Sequence, residues 1–528
     1  MLRSIRRSLP AYAAVLLLVA MMTTSSVLPA TATTPTGWLH TAGSRIVDSA
    51  GRDHVIRATS WFGMETPACA PHGLWQISLD DGLARIASMG FNTIRLPYSN
   101  ECLAATSVTG IDATKNPALV GLTPLQVMDA VVARSRLYGL SVILDRHRPD
   151  SAAQSPLWYT STWSEARWIA DWTMLARRYA TDPTVIGVDL HNEPRGDACW
   201  GCGAPERDWA AAATRAGDAV LEVNPRLLVI VEGVEHQAAG PTTWWGGGLA
   251  DVRTRPVRLA VADQLVYSTH DYPASVFAQP WFSAPDYPAN LPAVWRAGWG
   301  YLQEGGTAPV LLGEFGTKLE TTSDRQWLAS LVAYVRANRM SFAYWSFNPD
   351  SGDTGGLVQD DWTTPQAAKL TALRPILGTP RPVSPAPFPA PRTSPGATPA
   401  PRTSPAPRTS PAPGARSTPA PGPSPTATGS AGTTHAVWQP QSAWQGGYVA
   451  AVTVTGDEAR HGWGVRWADP HATSVTSAWG MTCVVRSGTL SCTGDGWAAD
   501  LVPGRAVSTG VQVVTDGAPP VDPVLTVS

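Results

Sequence analysis

Lysine is scarce in this 528-residue chain: only Lys115, Lys318 and Lys369 occur, and the formal net charge is -2. Without a basic excess the chain has little to neutralise a phosphate backbone, so no nucleic-acid partner is expected. Phenylalanine is sparse too, with 8 residues against 23 tryptophans. Tryptophan offers the widest flat apolar face together with a polar N–H, so this skew points to flat, ring-shaped ligands; packing in a large core is the competing explanation. No segment offers the roughly 18 uninterrupted apolar residues that a membrane helix needs, and no membrane partner is expected. A Gly-rich phosphate loop after the first candidate strand is also lacking, which argues against a nucleotide-binding open sheet. What is present, 44% apolar residues, suffices for one large core and a smaller one.

The first segment reads as an export signal over residues 1–32. Arg3, Arg6 and Arg7 precede an apolar run from Ala11 to Met22, and Ala30-Thr31-Ala32 is a small-residue cleavage pattern. The expected location is therefore extracellular, and the expected state a monomer. Six cysteines in an exported chain suggest disulfides. Cys199 with Cys202 would close a tight loop, Cys483 with Cys492 would staple a hairpin, and Cys69 and Cys102 remain to pair by elimination. No further ligands stand near these cysteines in a zinc-like spacing, so neither a metal nor a cofactor is expected.

Residues 378–432 are dominated by Pro, Ala, Ser, Thr and Arg, with Pro-Arg-Thr-Ser-Pro beginning at Pro391, Pro401 and Pro407. Such a stretch buries too little apolar area to fold and reads as an extended spacer. It separates a large domain, residues 36–377, from a small one, residues 433–528. In the large domain eight candidate strands alternate with helices: Val55–Ser60, Thr93–Pro97, Ser141–Asp145, Gly187–His191, Leu227–Val231, Leu265–Ser268, Val310–Gly313 and Phe342–Ser346. Ser78, Thr123, Ser164 and Ser323 stand as N-caps before helical runs, with Asp81 completing a capping box after Ser78. This alternation predicts an α/β fold, a (β/α)8 barrel.

At or just past the ends of these strands stand Trp61, Arg95, His147, Asn192-Glu193, Glu232, His270 with Tyr272, Glu314 and Trp345. In a barrel these positions gather on the C-terminal rim, where barrel enzymes keep their active sites. One strand-end acid alone would be a salt-bridge partner; many polar residues converging on one rim make a site. Glu193 and Glu314 follow the fourth and seventh strands, across the mouth from one another, and two carboxyls that flank a sugar are what glycosidic hydrolysis requires.

Here the sequence resembles glycoside hydrolase family 5, through Asn192-Glu193-Pro194, Gly313-Glu314-Phe315-Gly316, Thr93-Ile94-Arg95-Leu96-Pro97, Asp145-Arg146-His147-Arg148-Pro149, His270-Asp271-Tyr272 and Trp345-Ser346-Phe347-Asn348-Pro349-Asp350. The resemblance implies a retaining endo-β-1,4-glucanase with Glu193 as acid/base and Glu314 as nucleophile, the carboxyls about 5 Å apart. It further implies that Arg95 and Tyr272 keep Glu314 ionised and aimed, and that the charge of Glu314 raises the pKa of Glu193. Asn192 would hold the sugar 2-hydroxyl, His147 and His270 would bind hydroxyls or support the two acids, and Trp345 would floor the reacting sugar. Trp75, Trp244 and Trp245 would line further subsites, with loop packing as the alternative for each. Glu232 has no family role and is expected to act structurally or as a supporting hydrogen-bond partner. Ser151 departs from the pattern of similar members of the family, which carry there a cysteine paired to the position of Cys69, and this leaves the Cys69–Cys102 pairing open.

The small domain alternates short strands, such as Tyr448–Thr455, Gly464–Trp467 and Val511–Thr515, with Gly-rich turns, which predicts an all-β sandwich. It resembles carbohydrate-binding module family 2 through Trp444-Gln445-Gly446-Gly447-Tyr448, Gly462-Trp463-Gly464-Val465-Arg466-Trp467 and Leu501-Val502-Pro503-Gly504. That resemblance implies a flat strip of Trp444, Trp479 and Trp497 for stacking on cellulose, with Trp463 and Trp467 in the core. The rival functions are a β-mannanase or xyloglucanase of the same family, since subsite loops choose the sugar, and a non-catalytic carbohydrate-binding barrel.

Overall fold

The computed structural model describes residues 37–381 and 434–528, apart from 445, 496–497, 504–505 and 522 and the side chains of 440–444, 449, 476–477, 479, 508 and 512. The expected signal segment and all but four residues of the expected spacer lie outside the described residues. The chain divides into two compact units, residues 1–396 and 397–528.

In the first unit β1 (Leu39–Ala42) and β2 (Arg45–Asp48) form an antiparallel hairpin. The next eight strands are β3 (Arg57–Ser60), β4 (Thr93–Ser99), β5 (Ser141–Arg148), β6 (Val185–Asp189), β7 (Leu228–Glu232), β8 (Leu265–His270), β9 (Val310–Phe315) and β10 (Ser341–Tyr344). They close into one parallel barrel in chain order, with β10 beside β3. Strands covered on both faces must be apolar nearly throughout, which explains runs such as Leu228–Val231. Leu39 and Ile46 of the hairpin pack with Ile56, Ala58, Ile143, Ile186, Leu228, Val266 and Leu311 to fill the N-terminal half of the barrel. A polar tier lies above this plug, because register sets ionisable side chains next to one another: Asp145 of β5 is opposite Asp189 of β6, and His270 of β8 is opposite Glu314 of β9.

All eight expected strands form, with shifted ends. β8 and β9 run on to His270 and Phe315, so His270 and Glu314 belong to their strands instead of following them. β6 ends at Asp189, two residues earlier than expected, which leaves Asn192 and Glu193 on the connecting loop. The helix Leu79–Ser88 starts at the anticipated capping box of Ser78, Pro124–Leu137 at the anticipated Thr123, where Gln126 completes a second box, and Ser164 caps Glu165–Arg178. Ser323 is not a cap. The helix Thr322–Ala337 is capped by Thr321, whose hydroxyl accepts from the Asp324 N–H at 3.0 Å, while Ser323 donates its hydroxyl to Tyr287 Oη at 3.1 Å.

Among the described residues nine tryptophans are fully buried, seven of them in the barrel unit, so much of the tryptophan excess is core. Five of the barrel indoles nevertheless donate their N–H groups at the functional end of the barrel. Trp168 and Trp172 both donate to the carbonyl of Leu190, Trp209 to that of Glu232, and Trp295 and Trp327 to the carboxylate of Asp271. The outer layer thereby holds three strand ends that carry polar site residues.

The second unit is an antiparallel sandwich. One sheet has the spatial order Thr434–Trp444, Gly447–Gly456, Ala506–Thr515, Ala472–Trp479, and the other Met481–Arg486, Thr489–Gly494, Gly464–Ala468, Thr526–Val527. Trp463 and Trp467 are buried between them, as expected. Three disulfides form, Cys69–Cys102, Cys199–Cys202 and Cys483–Cys492. The first resolves the pairing that Ser151 had left open, and the third joins residues directly opposite in a hairpin.

Candidate active site

Arg95 is the centre of the polar tier. Its β4 position aims the side chain into the barrel, where it has no solvent exposure. A guanidinium in such a place is tolerable only when its N–H groups are all met, and here acceptors surround it. Nε donates to Asp189 Oδ2 at 2.9 Å, Nη1 to Glu314 Oε1 at 2.6 Å, and Nη2 to Asn192 Oδ1 at 2.9 Å and Glu232 Oε1 at 3.1 Å. Asp145 Oδ2 lies 3.1 Å from Nη1.

Glu314 is 3% exposed and is held from two sides, by Arg95 and by the Tyr272 hydroxyl, which donates to Oε2 at 2.7 Å. Glu193 stands across the groove. His270 lies between the two acids, with Nδ1 3.1 Å from Glu193 Oε1 and 3.6 Å from Glu314 Oε2. One carboxylate oxygen of each acid and a nitrogen of His270 all lie within 4.8 Å of one another. These three are also the side chains of the site whose donor atoms could hold a cation, although Arg95 already sets a positive charge against Glu314.

Five carboxyls thus face two cations, and protons are shared among them. Burial raises Asp145 and Asp189 to about 6 and Glu232 to about 7, against the opposing pull of Arg95 and His270. Burial opposes a charged His270, but Glu232, Glu314 and Glu193 outweigh it and raise its pKa well above the ordinary histidine value. Burial also raises Glu314 to about 7. Burial pushes Glu193 upward too, yet the hydrogen bond and charge of His270 prevail and leave it lowered. This order differs from the expectation that Glu314 would lift Glu193, because His270 sits nearer to Glu193. Two acids that share one imidazolium titrate as a unit.

Residues 47–351 match the family described as Cellulase (glycosyl hydrolase family 5). The chain belongs to glycosyl hydrolase family 5. This family 5 hydrolase is similar, at 50% identity over 346 residues, to an endoglucanase of Paenibacillus polymyxa, covering 65% of this chain and 87% of that protein. It is 40% identical over 342 residues to the major extracellular endoglucanase of Xanthomonas campestris pv. campestris, covering 63% of this chain and 70% of that one. Among solved structures, the catalytic domain of the major endoglucanase from the same organism superposes with a TM-score of 0.62 at 39% identity, covering 64% of this chain and 99% of that domain. A cellotetraose complex of an endocellulase from Pyrococcus horikoshii superposes with a TM-score of 0.61 at 38% identity, covering 65% and 99%. Residues 434–527 match the family described as Cellulose binding domain.

The remaining expected site residues of the family 5 hydrolase fall into three groups. Asn192 and His147 join the cluster. Arg95 takes Asn192 Oδ1, which turns the amide Nδ2 outward, 3.5 Å from His147 Nε2. His147 Nδ1 is 2.7 Å from Asp145 Oδ2, and burial holds the ring neutral by lowering its pKa well below the ordinary value. Trp345 is half-buried at the groove, in a parallel tier with His147 at 5.2 Å and Phe62 at 5.5 Å. The outer tryptophans separate. Trp75 is 42% exposed with its ring edge-on to Trp362, and Trp245 is 41% exposed beneath the Arg195 guanidinium at 4.0 Å. Trp244 is only 7% exposed, packed edge-to-face on Trp281 and Phe282, an arrangement that matches loop packing. In the second unit, Trp497 and the side chains of Trp444 and Trp479 lie outside the described residues.

Sequence reasoning passed over Asp145, Asp189 and Phe62. The signal for the two acids was available: an Asp within or ending an apolar parallel strand is costly unless it meets a buried cation. Phe62 gave none, because an aromatic beside Trp61 reads as core.

Proposed function

We propose that this protein is a secreted endo-β-1,4-glucanase that cleaves internal bonds of cellulose with retention of anomeric configuration, Glu314 attacking and Glu193 serving as acid and then base. The observation that carries this reading is the approach of the two acids within 4.8 Å. Retaining glycosidases hold their carboxyls about 5–5.5 Å apart, whereas inverting ones leave about 6.5–9.5 Å for a water between them. The aim of each acid supports the roles. Glu314, fixed by Arg95 and Tyr272, has no freedom to follow a departing group, which suits the nucleophile. Glu193, 12% exposed at its side chain and bound by one imidazole, can reach a leaving oxygen.

In the first step the proton that the pair shares passes from Glu193 to the glycosidic oxygen while Glu314, now the carboxylate of the two, bonds to the anomeric carbon, releasing the aglycone alcohol. The charge of Glu314 is then spent in the ester. Glu193, now a carboxylate, removes a proton from water, whose oxygen displaces Glu314. Asn192 Nδ2, freed by the grip of Arg95 on Oδ1, is the donor for the sugar 2-hydroxyl.

The substrate assignment is supported by relatives named endoglucanase and by the cellotetraose bound in a structural neighbour. Three disulfides and a relative named extracellular support secretion. The proposed strip of Trp444, Trp479 and Trp497 would bring the enzyme, acting as a monomer, to cellulose through the spacer. Glu314→Ala should abolish release of reducing sugar from carboxymethylcellulose, and azide should restore turnover as an α-glycosyl azide. Wild-type activity in that variant would remove the nucleophile assignment; faster hydrolysis of mannan or xyloglucan than of carboxymethylcellulose by the native enzyme would move the substrate. A chain ending at residue 381 should adsorb less to insoluble cellulose while keeping its rate on soluble glucan, and equal adsorption would refute the module's part.

A further inference from the structure

Glu193 has a φ of +57°. A residue with a Cβ adopts this left-handed region only where its surroundings impose it. The partner that imposes it stands at the end of β7. The backbone N–H of Glu193 donates to Glu232 Oε2 at 2.7 Å. The other oxygen of the same carboxyl, Oε1, accepts from Arg95 Nη2 at 3.1 Å and faces His270 Nε2 at 3.3 Å.

Those two cations are the ones that touch the paired acids: Arg95 Nη1 lies 2.6 Å from Glu314 Oε1, and His270 Nδ1 lies 3.1 Å from Glu193 Oε1. Glu232 itself has no exposure, so a sugar cannot touch it. Gly246 closes the space beside it, where a Cβ would stand 2.4 Å from Glu232 Oε2. The backbone of Gly246 ties the neighbouring loops together, its N–H donating to Pro194 at 3.3 Å and its carbonyl accepting from Gly233 at 3.0 Å.

We propose that Glu232 is a positioning residue: a single carboxylate that clamps the backbone of Glu193 with one oxygen and, with the other, orders the Arg95 and His270 that set Glu193 against Glu314. The proposal rests on Glu193 being the acid/base. Loss of the clamp misplaces the proton donor and leaves Glu314 tied to Tyr272 and Arg95. The resulting defect should therefore resemble a missing acid, not a missing nucleophile.

The test compares kcat/KM of the full-length enzyme on two substrates. Carboxymethylcellulose releases an alcohol that needs a proton, whereas 2,4-dinitrophenyl β-cellobioside releases a phenolate that leaves without one. For Glu193→Ala, general acid catalysis predicts a loss of about 10²–10⁴ on the glucan and far less on the aryl glycoside. Glu232→Ala should share that selectivity, losing about 10²-fold on the glucan and less than about fivefold on the aryl substrate. Glu232→Gln, which keeps one oxygen for the Glu193 N–H, should recover about tenfold of the glucan loss. Equal losses on both substrates in the Glu232 variants, with Glu193→Ala still selective, overturn the clamp and leave the acid/base role standing. Absence of selectivity in Glu193→Ala overturns that role, and the clamp falls with it.

Discussion

Tyr272 illustrates how one side chain divides its work between neighbours. Its ring is 7% exposed, and its hydroxyl is spent on Glu314 Oε2 at 2.7 Å. A hydrogen bond to a charged group is worth about 1.5–3 kcal/mol, so Tyr272→Phe should lower kcat about 10- to 100-fold with the melting temperature nearly unchanged. A change below twofold in steady-state kinetics would mean that Arg95 alone aims the acid. Tyr272, like Arg95 and Asn192, was legible in the sequence because its motif was. Asp189 was legible only in part: an acid that closes an apolar strand asks for a buried cation, but nothing local names Arg95, whose Nε it bonds 94 positions away in the chain, as that cation.

At the scale of elements, the barrel works because caps and indoles fix where each strand ends. Asp208 caps the helix Trp209–Val223 and, while 4% exposed, accepts from the N–H groups of Ala211, Gly201 and Gly203 at 3.2, 2.9 and 2.8 Å. It thereby holds the Cys199–Cys202 loop against the helix start. Ser78, by contrast, caps one helix through a single backbone N–H. Asp208→Ala should cost about 2–4 kcal/mol, against about 1 kcal/mol for Ser78→Ala, by urea unfolding. Equal losses would mean that the loop needs no help beyond its disulfide. The same element-level view explains the Ser323 discrepancy. Thr321 and Ser323 both precede Asp324 closely and both are good caps by composition, and the choice fell to Tyr287, which engages the Ser323 hydroxyl and carbonyl.

For the whole molecule, the buried charges make stability depend on pH in a signed way. Asp145 and Asp189 at about 6, and Glu232, Asp271 and Glu314 at about 7, all titrate above their unfolded values. Acids with raised pKa values hold more protons folded than unfolded, so their contribution is complete below about pH 4 and is lost as pH rises through 6 to 7. His270, raised as well, loses its contribution above its unfolded value of about 6.5. His54 at about 4, with the lowered His147 and His191, acts oppositely, but that gain is complete by about pH 6.5. Between pH 6.5 and 7.5 the raised acids and His270 prevail, since Lys369, lowered by burial to about 8, opposes them mainly above that interval, and the melting temperature should fall. A constant or rising melting temperature by calorimetry over that interval would show that the cluster keeps its folded charge by other means.

The order of strands and helices, the two acids at the ends of the fourth and seventh barrel strands, the proline-rich stretch and the strand-rich small unit are all set by local pattern: periodicity, capping residues and short motifs need no partner distant in the chain. What only the closed barrel decided is who meets whom. Register brings Asp145 beside Asp189 and His270 beside Glu314, and burial then forces Arg95 to satisfy several carboxyls at once. The protonation order of Glu193 and Glu314, and the contact of Glu232 with the Glu193 backbone, follow from distances of a few ångströms between strands far apart in the chain. Electrostatics at that range depends on position in three dimensions, and no one-dimensional pattern encodes it.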